Sequence, residues 1–212
     1  MEKTVTCIMI VFVYCLNITY AQTVDISSAK KFAVSNTHVS IYDSGNKKIV
    51  HLDAAEGSRT AWLNNINFST GTIEFDVKGK DVLQQSFVGI AFHGTNDSSY
   101  DCIYFRPFNF NSADAARKNH SVQYISMPQY DWQYLRQTFP EKYEHTLTKS
   151  INSNSWFHAK IIVHANAIEV FVNNDTNASL IVTPLNKYSS GKIGFWVGNN
   201  SDGDFANLTI SK

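Results

Sequence analysis

Cysteine is nearly missing from this 212-residue chain, which carries Cys7, Cys15 and Cys102 and no other thiol. The first two fall in an N-terminal stretch expected to be removed. Cys102 is then left without a partner in its own chain, so no internal disulfide is available and stability must come from the core. An excess of charge is missing too, with Lys plus Arg at 18 and Asp plus Glu at 18. That balance argues against nucleic acid or an anionic membrane surface as the main partner, since both require a basic surplus. Beyond residue 21 no apolar run approaches the ~20 residues that a helix needs to cross a bilayer. Strong amphipathic helices of ordinary length are absent as well, and no two histidines stand at a spacing suited to one metal ion.

What is present begins with a leader. Lys3 precedes the apolar run CIMIVFVYCLNI, and Thr19-Tyr20-Ala21 supplies a small-residue end, the pattern of a secretory signal peptide over residues 1–21. A secreted or periplasmic protein is expected, with residues 22–212 forming one domain. That domain reads as strands and turns. Residues 39–42 and 48–52 look like a hairpin around Asp43-Ser44-Gly45-Asn46. In residues 71–77, Ile73, Phe75 and Val77 alternate with Thr72, Glu74 and Asp76, which predicts one buried and one polar face. Further strands are predicted at 60–63, 87–93, 100–106, 122–126, 157–164, 167–173, 192–198 and 205–210. Helix is confined to a turn or two at 112–118, capped by Ser112, and at 131–137. Regularly spaced antiparallel strands with so little helix imply an all-β, two-sheet sandwich or jelly roll.

The segments GTIEFDVKG, FVGIAFHG, YDCIYFRPFNF, HSVQYI, WFHAKIIV, IEVFVNN and GKIGFWVGNNSDGDFANLTI resemble exported bacterial proteins of the concanavalin A-like lectin and glucanase superfamily, close to laminin-G-like jelly rolls. The resemblance covers nearly all of residues 22–212. It implies a concanavalin A-like antiparallel β-sandwich, a scaffold that hosts sugar-binding modules, glycan-cleaving enzymes and adhesion domains alike.

Glu74 and Asp76 are the weak catalytic candidates, because positions i and i+2 of a strand put two carboxylates on one face roughly 7 Å apart. Laminarinase-type glucanases of the superfamily carry E-x-D followed closely by a further Glu. Here Val77-Lys78-Gly79 follows, so one essential carboxylate of that mechanism is missing.

For sugar binding, a hairpin of 87–93 with 100–106 puts His93 near Tyr100 and Arg106 near Phe87, roughly 20 Å apart. Alternation then sets Val88, Ile90, Phe92, Ile103 and Phe105 on the core side. His93, Tyr100, Cys102, Tyr104 and Arg106 form a row on the other side, with Gln123 beside Tyr104. The aperiodic stretch 127–155 holds Tyr130, Trp132 and Arg136 and reads as a binding loop over that row. Asn109, in Arg106-Pro107-Phe108-Asn109-Phe110, completes the carbohydrate-binding set. Cys102 reads as a small apolar filler rather than a nucleophile. The run Asn199-Asn200-Ser201-Asp202-Gly203-Asp204 reads as a hairpin turn, with a calcium ion as its weaker alternative, and no cofactor or metal is expected.

The leading expectation is an exported carbohydrate-binding jelly roll that holds a poly- or oligosaccharide along this polar strip. A glycoside hydrolase is the alternative, and a structural or protein-binding accessory domain is the third reading.

Overall fold

The computed structural model describes residues 21–35 and 37–212. Of the expected leader only Ala21 is among them. The described strands are, in chain order, β1 (Ala21–Thr23), β2 (Phe32–Val34), β3 (Val39–Ser44), β4 (Lys47–Leu52), β5 (Arg59–Phe68), β6 (Gly71–Lys78), β7 (Val88–Asn96), β8 (Ser99–Phe105), β9 (Val122–Met127), β10 (Glu144–His145), β11 (Phe157–Val163), β12 (Ile168–Val172), β13 (Leu180–Val182), β14 (Gly191–Val197) and β15 (Gly203–Ser211). They form two antiparallel sheets, the all-β sandwich expected from the alternation. The eight-stranded sheet runs β13-β12-β11-β6-β15-β4-β3 with β1 added on β15, and the seven-stranded sheet runs β10-β9-β8-β7-β14-β5-β2.

The core lies between the sheets and is strongly aromatic. Phe75 of β6 and Phe195 of β14 face each other with ring centroids 6.1 Å apart, and Phe195 stacks on Phe205 at 4.5 Å. Phe105 of β8 meets Phe157 of β11 edge to face at 5.0 Å. All of these side chains are buried, and burying each stabilises the fold by roughly 1.5–3 kcal/mol.

The β3–β4 hairpin forms as read, with Tyr42 opposite Ile49. Strand β6 also follows its pattern, because Ile73, Phe75 and Val77 are buried while Glu74 and Asp76 stay partly exposed. The short α2 (Trp132–Thr138) is capped by Asp131, whose Oδ1 accepts from Tyr134 N at 2.7 Å. The other helical turn, α1 (Ala115–Lys118), is capped by Asp114 instead of Ser112; Ser112 Oγ accepts from Asp114 N one step earlier. The Asp202-Gly203 turn does not close a hairpin. Strand β14 lies in one sheet and β15 in the other, so residues 198–202 cross between layers.

Candidate functional site

The pairing of β7 with β8 fixes where the expected strip goes. Val88 pairs with Phe105, Gly89 with Tyr104 and Ala91 with Cys102, and on the next strand Gln123 pairs with Tyr104. All of this was legible. The departure comes at His93, where the register slips between Phe92 and Asn96 and the backbone takes φ 53°. This bulge turns the imidazole away from the Tyr104 row. His93 Nδ1 lies 2.9 Å from Asp101 Oδ2, and Nε2 lies 2.6 Å from the Ser69 carbonyl. Tyr124 donates to Asp101 Oδ1 at 2.7 Å and accepts from Leu185 N at 2.8 Å. His93 is buried at 4 % exposure, so it anchors a polar chain that ends at the loop before β14.

The remaining row residues do share a face, but that face is roofed. Tyr104, Arg106, Gln123 and Glu144 are each exposed by 4 % or less. Arg106 Nη2 donates to Tyr104 Oη at 2.7 Å and to Gln123 Oε1, while Nη1 donates to the His120 carbonyl at 3.0 Å and lies 3.6 Å from Glu144 Oε2. From above, Arg136 on α2 clamps Glu144 with two bonds of 2.7 and 2.6 Å. Burial pushes the Tyr104 phenol up to about 12, so it remains a neutral donor. Asn109 ties in through Nδ2 to the His120 carbonyl at 3.2 Å. The open strip expected at Tyr104, Arg106, Asn109 and Gln123 is therefore closed over in this structure. The Arg106 guanidinium is answered by Tyr104, Gln123 Oε1, the His120 carbonyl and Glu144, a requirement for burying a charge, while Asn109 Oδ1 and Gln123 Nε2 find no partner among the described residues.

Farther along this face, Trp62, Tyr100 and Trp196 are buried as well. Trp196 Nε1 donates to Tyr100 Oη at 3.1 Å, and Trp62 stands edge-on to Tyr100 at 6.0 Å. Cys102 lies beneath them fully buried, and burial raises its thiol well above the ordinary value. A protonated thiol in that place packs as an apolar filler.

Open space lies at the end of the sheet where β8 begins and β9 ends. A cleft of about 520 Å³ is bounded by Thr95, Asn96, Ser98 and Ser99 of the β7–β8 turn, by residues 126–130, and by residues 185–188. Its walls combine hydroxyls and carboxamides with the rings of Tyr130 and Tyr188 and the apolar Met127, Pro128 and Leu185. Lys187 is the one charged lining residue, and its Nζ lies 5.2 Å from the Tyr188 ring centroid. Asn186 Oδ1 accepts from Tyr188 N at 2.9 Å, and its buried Nδ2 has no hydrogen-bond partner among the described residues. Tyr130 packs edge to face on Tyr134 of α2 at 5.9 Å, which holds its ring at the cleft wall.

Of the sequence-selected sugar contacts, Tyr130 alone lines this cleft. Trp132 is 47 % exposed on α2 with the Arg136 guanidinium 5.2 Å from its ring. Residues 183–190 escaped notice. Their signal was present as a short aperiodic stretch, TPLNKYSS, between two strands.

Glu74 and Asp76 lie on the outer face of the other sheet, across the sandwich from the cleft. His158 sits between them, with Nε2 3.1 Å from Glu74 and Nδ1 3.0 Å from Asp76. Asp76 also accepts from Lys47 Nζ at 2.7 Å and Asn207 Nδ2 at 2.8 Å. In the 199–204 run, Asp202 pairs with Lys80 at 2.6 Å and Asp204 with His51 at 2.7 Å. The two carboxylates are committed to different side chains.

No protein-family model matches the sequence, and no curated protein matches it. Solved structures do share its architecture. The carbohydrate binding module CBM66 from Bacillus subtilis superposes with a TM-score of 0.57 at 15% identity, over 84% of this chain and 93% of that one. The β-glucanase of Bacillus licheniformis gives 0.55 at 11% identity, over 92% and 97%. The exoplasmic/lumenal domain of VIP36, solved with Ca2+ and Man3GlcNAc, gives 0.52 at 9% identity, over 88% and 85%. The chain thus has the jelly-roll fold of the concanavalin A-like lectins and glucanases.

Proposed function

We propose that the chain is an extracellular carbohydrate-binding module that holds its glycan in the 520 Å³ cleft. The observation carrying this reading is the lining. Two tyrosine rings can pack on the apolar face of a sugar, while Asn96, Ser98, Gln129 and Asn186 offer neutral donors and acceptors to its hydroxyls. The volume lies within the roughly 300–1,000 Å³ of small-molecule sites. A carbohydrate-binding module and a domain solved with an oligosaccharide on the same fold support it. The module is the reading favoured over a hydrolase, although a β-glucanase shares the fold. Acid-base glycoside cleavage needs two carboxyl groups about 5–10 Å apart across the bond, and the cleft is lined by neither Asp nor Glu.

Affinity electrophoresis of residues 22–212 through a panel of polysaccharide gels tests the reading. Retardation by at least one glycan is expected, and Tyr130→Ala or Tyr188→Ala should weaken it about tenfold, equivalent to ~1.4 kcal/mol. Tyr188 is exposed, so that variant should still fold. Mobility unchanged in every gel would overturn the proposal, and release of reducing ends from a retarding glycan would favour the hydrolase.

A further inference from the structure

A second, smaller cleft opens across the β7–β8 turn from the first. It is lined by Ser35, Ser58, Arg59, Thr60, Asp97 and Ser98 and encloses about 220 Å³. Ser98 belongs to both walls, so the two spaces adjoin. At 220 Å³ the smaller one falls below the ~300 Å³ at which ligand pockets ordinarily begin. It is too small to stand as an independent site, and its position makes it a continuation of the larger.

The ridge between them is tied down. Trp62 Nε1 donates to Asp97 Oδ1 at 2.7 Å, and Ser98 N donates to Asn96 Oδ1 at 2.8 Å. The Trp62 ring also packs against Gly94 at the base of the turn, where a Cβ would come within 2.4 Å of it. The walls differ in chemistry. The larger cleft supplies rings and neutral amides with one lysine. The smaller supplies three serine hydroxyls, a threonine hydroxyl, a guanidinium whose Nη1 already donates to the Ser58 carbonyl at 2.8 Å, and a carboxylate that accepts from Trp62. Rings in one space and dense polar groups in its narrow extension suit a ligand that enters as a stacked ring and continues as a chain of hydroxyls.

We propose that the two clefts are adjoining subsites for one extended oligosaccharide that crosses the ridge at Ser98. One sugar unit stacks in the larger cleft against Tyr130 or Tyr188, and the next units bond to Ser58, Arg59 and Thr60 in the smaller. This rests on the carbohydrate-binding reading above.

The test uses a polysaccharide that retards the protein, cut by partial acid hydrolysis and size-separated from single sugars upward, with titration calorimetry against each size. Affinity should climb with length until both subsites are filled, by about tenfold over the shortest oligomer that binds. Arg59→Ala and the milder Thr60→Val should lower affinity for long oligomers by about that factor, with the short-oligomer affinity as the internal reference; Tyr130→Ala should lower both. Affinity that stops rising at the shortest bound oligomer would overturn the extended site. So would Arg59→Ala and Thr60→Val variants that weaken short and long oligomers alike, or weaken neither. Failure of every polysaccharide to retard the protein removes the carbohydrate reading itself, a separate result.

Discussion

On the outer face of the eight-stranded sheet, Asp76 accepts from Lys47, Asn207 and His158 while still partly wet; on that of the seven-stranded sheet, the buried Glu144 carboxylate lies between the buried Arg106 and the partly exposed Arg136. Both faces arise from the same alternation of apolar and polar residues, and both gather carboxylates, cations and an imidazole. What separates them is the cover. Among the described residues the first has none, and solvent can replace any partner that is lost. The second lies beneath α2 and the segment around it, where a charge is tolerable only while its partner is present. The 520 Å³ cleft opens at the rim of the covered face, where the cover stops.

The largest effect should come from breaking the covered network. Glu144→Gln keeps the shape but removes the charge that answers Arg106 and Arg136, leaving Arg106 as a buried cation with only neutral acceptors. A loss of about 3–5 kcal/mol is expected, read as a lower urea midpoint. Glu74→Gln, its counterpart on the open face, should cost less than about 1 kcal/mol. Equal costs for the two variants would break the comparison.

A middle-sized effect is expected where the covered face meets the ridge. Gly94 must stay without a side chain, because an added Cβ would fall 2.4 and 2.7 Å from two atoms of the Trp62 ring, itself buried at 3 % exposure. Gly94→Ala should cost about 1–3 kcal/mol by overpacking. It should also redden the tryptophan emission as Trp62 is displaced and its bond to Asp97 is lost. Unchanged emission at full stability would show that the ridge is not held from below.

The fold was largely legible because period-two alternation and turn residues are local signals, and β6, the β3–β4 hairpin and the pairing of Tyr104 with Gln123 all obeyed them. Parity also placed Tyr104, Arg106 and Gln123 on one face. Two things were not local. The bulge at His93 reverses one side chain, and nothing in FHGTN marks the position as adopting positive φ. Burial of the Arg106 row depends on α2 lying across it through Arg136 and Glu144, residues eight positions apart in an aperiodic stretch. Alternation states which side a residue faces and is silent on what covers that side. The short edge strands β1, β2, β10 and β13 carried too few residues for any period to show.

The smallest effect is a pH dependence confined to the open face. Asp76 and Glu74 each accept from one nitrogen of His158, and these bonds, with Asp76 the stronger influence, hold the imidazole above its ordinary 6.5. A pKa raised by folding means that the charged ring stabilises the native state fully below the unfolded value of ~6.5, and that this stability drains away as pH rises through the higher folded value. The His158 bond, followed by those from Lys47 and Asn207, holds the Asp76 carboxyl well below the usual carboxylate range. Its contribution is therefore present above ~3.9 and lost only as the solution becomes strongly acidic. Urea unfolding of the native chain and of His158→Gln between pH 6.5 and 8.5 isolates the first effect. The gap between the two should shrink by up to about 1 kcal/mol across that window, the scale of a partly exposed pair. Burial lowers His120 beside Glu144, so its neutral form is favoured across the window and the cost of Glu144→Gln should change less with pH than the His158 gap. A His158 gap that holds constant while the Glu144 gap moves would reverse the assignment of which face answers to solvent.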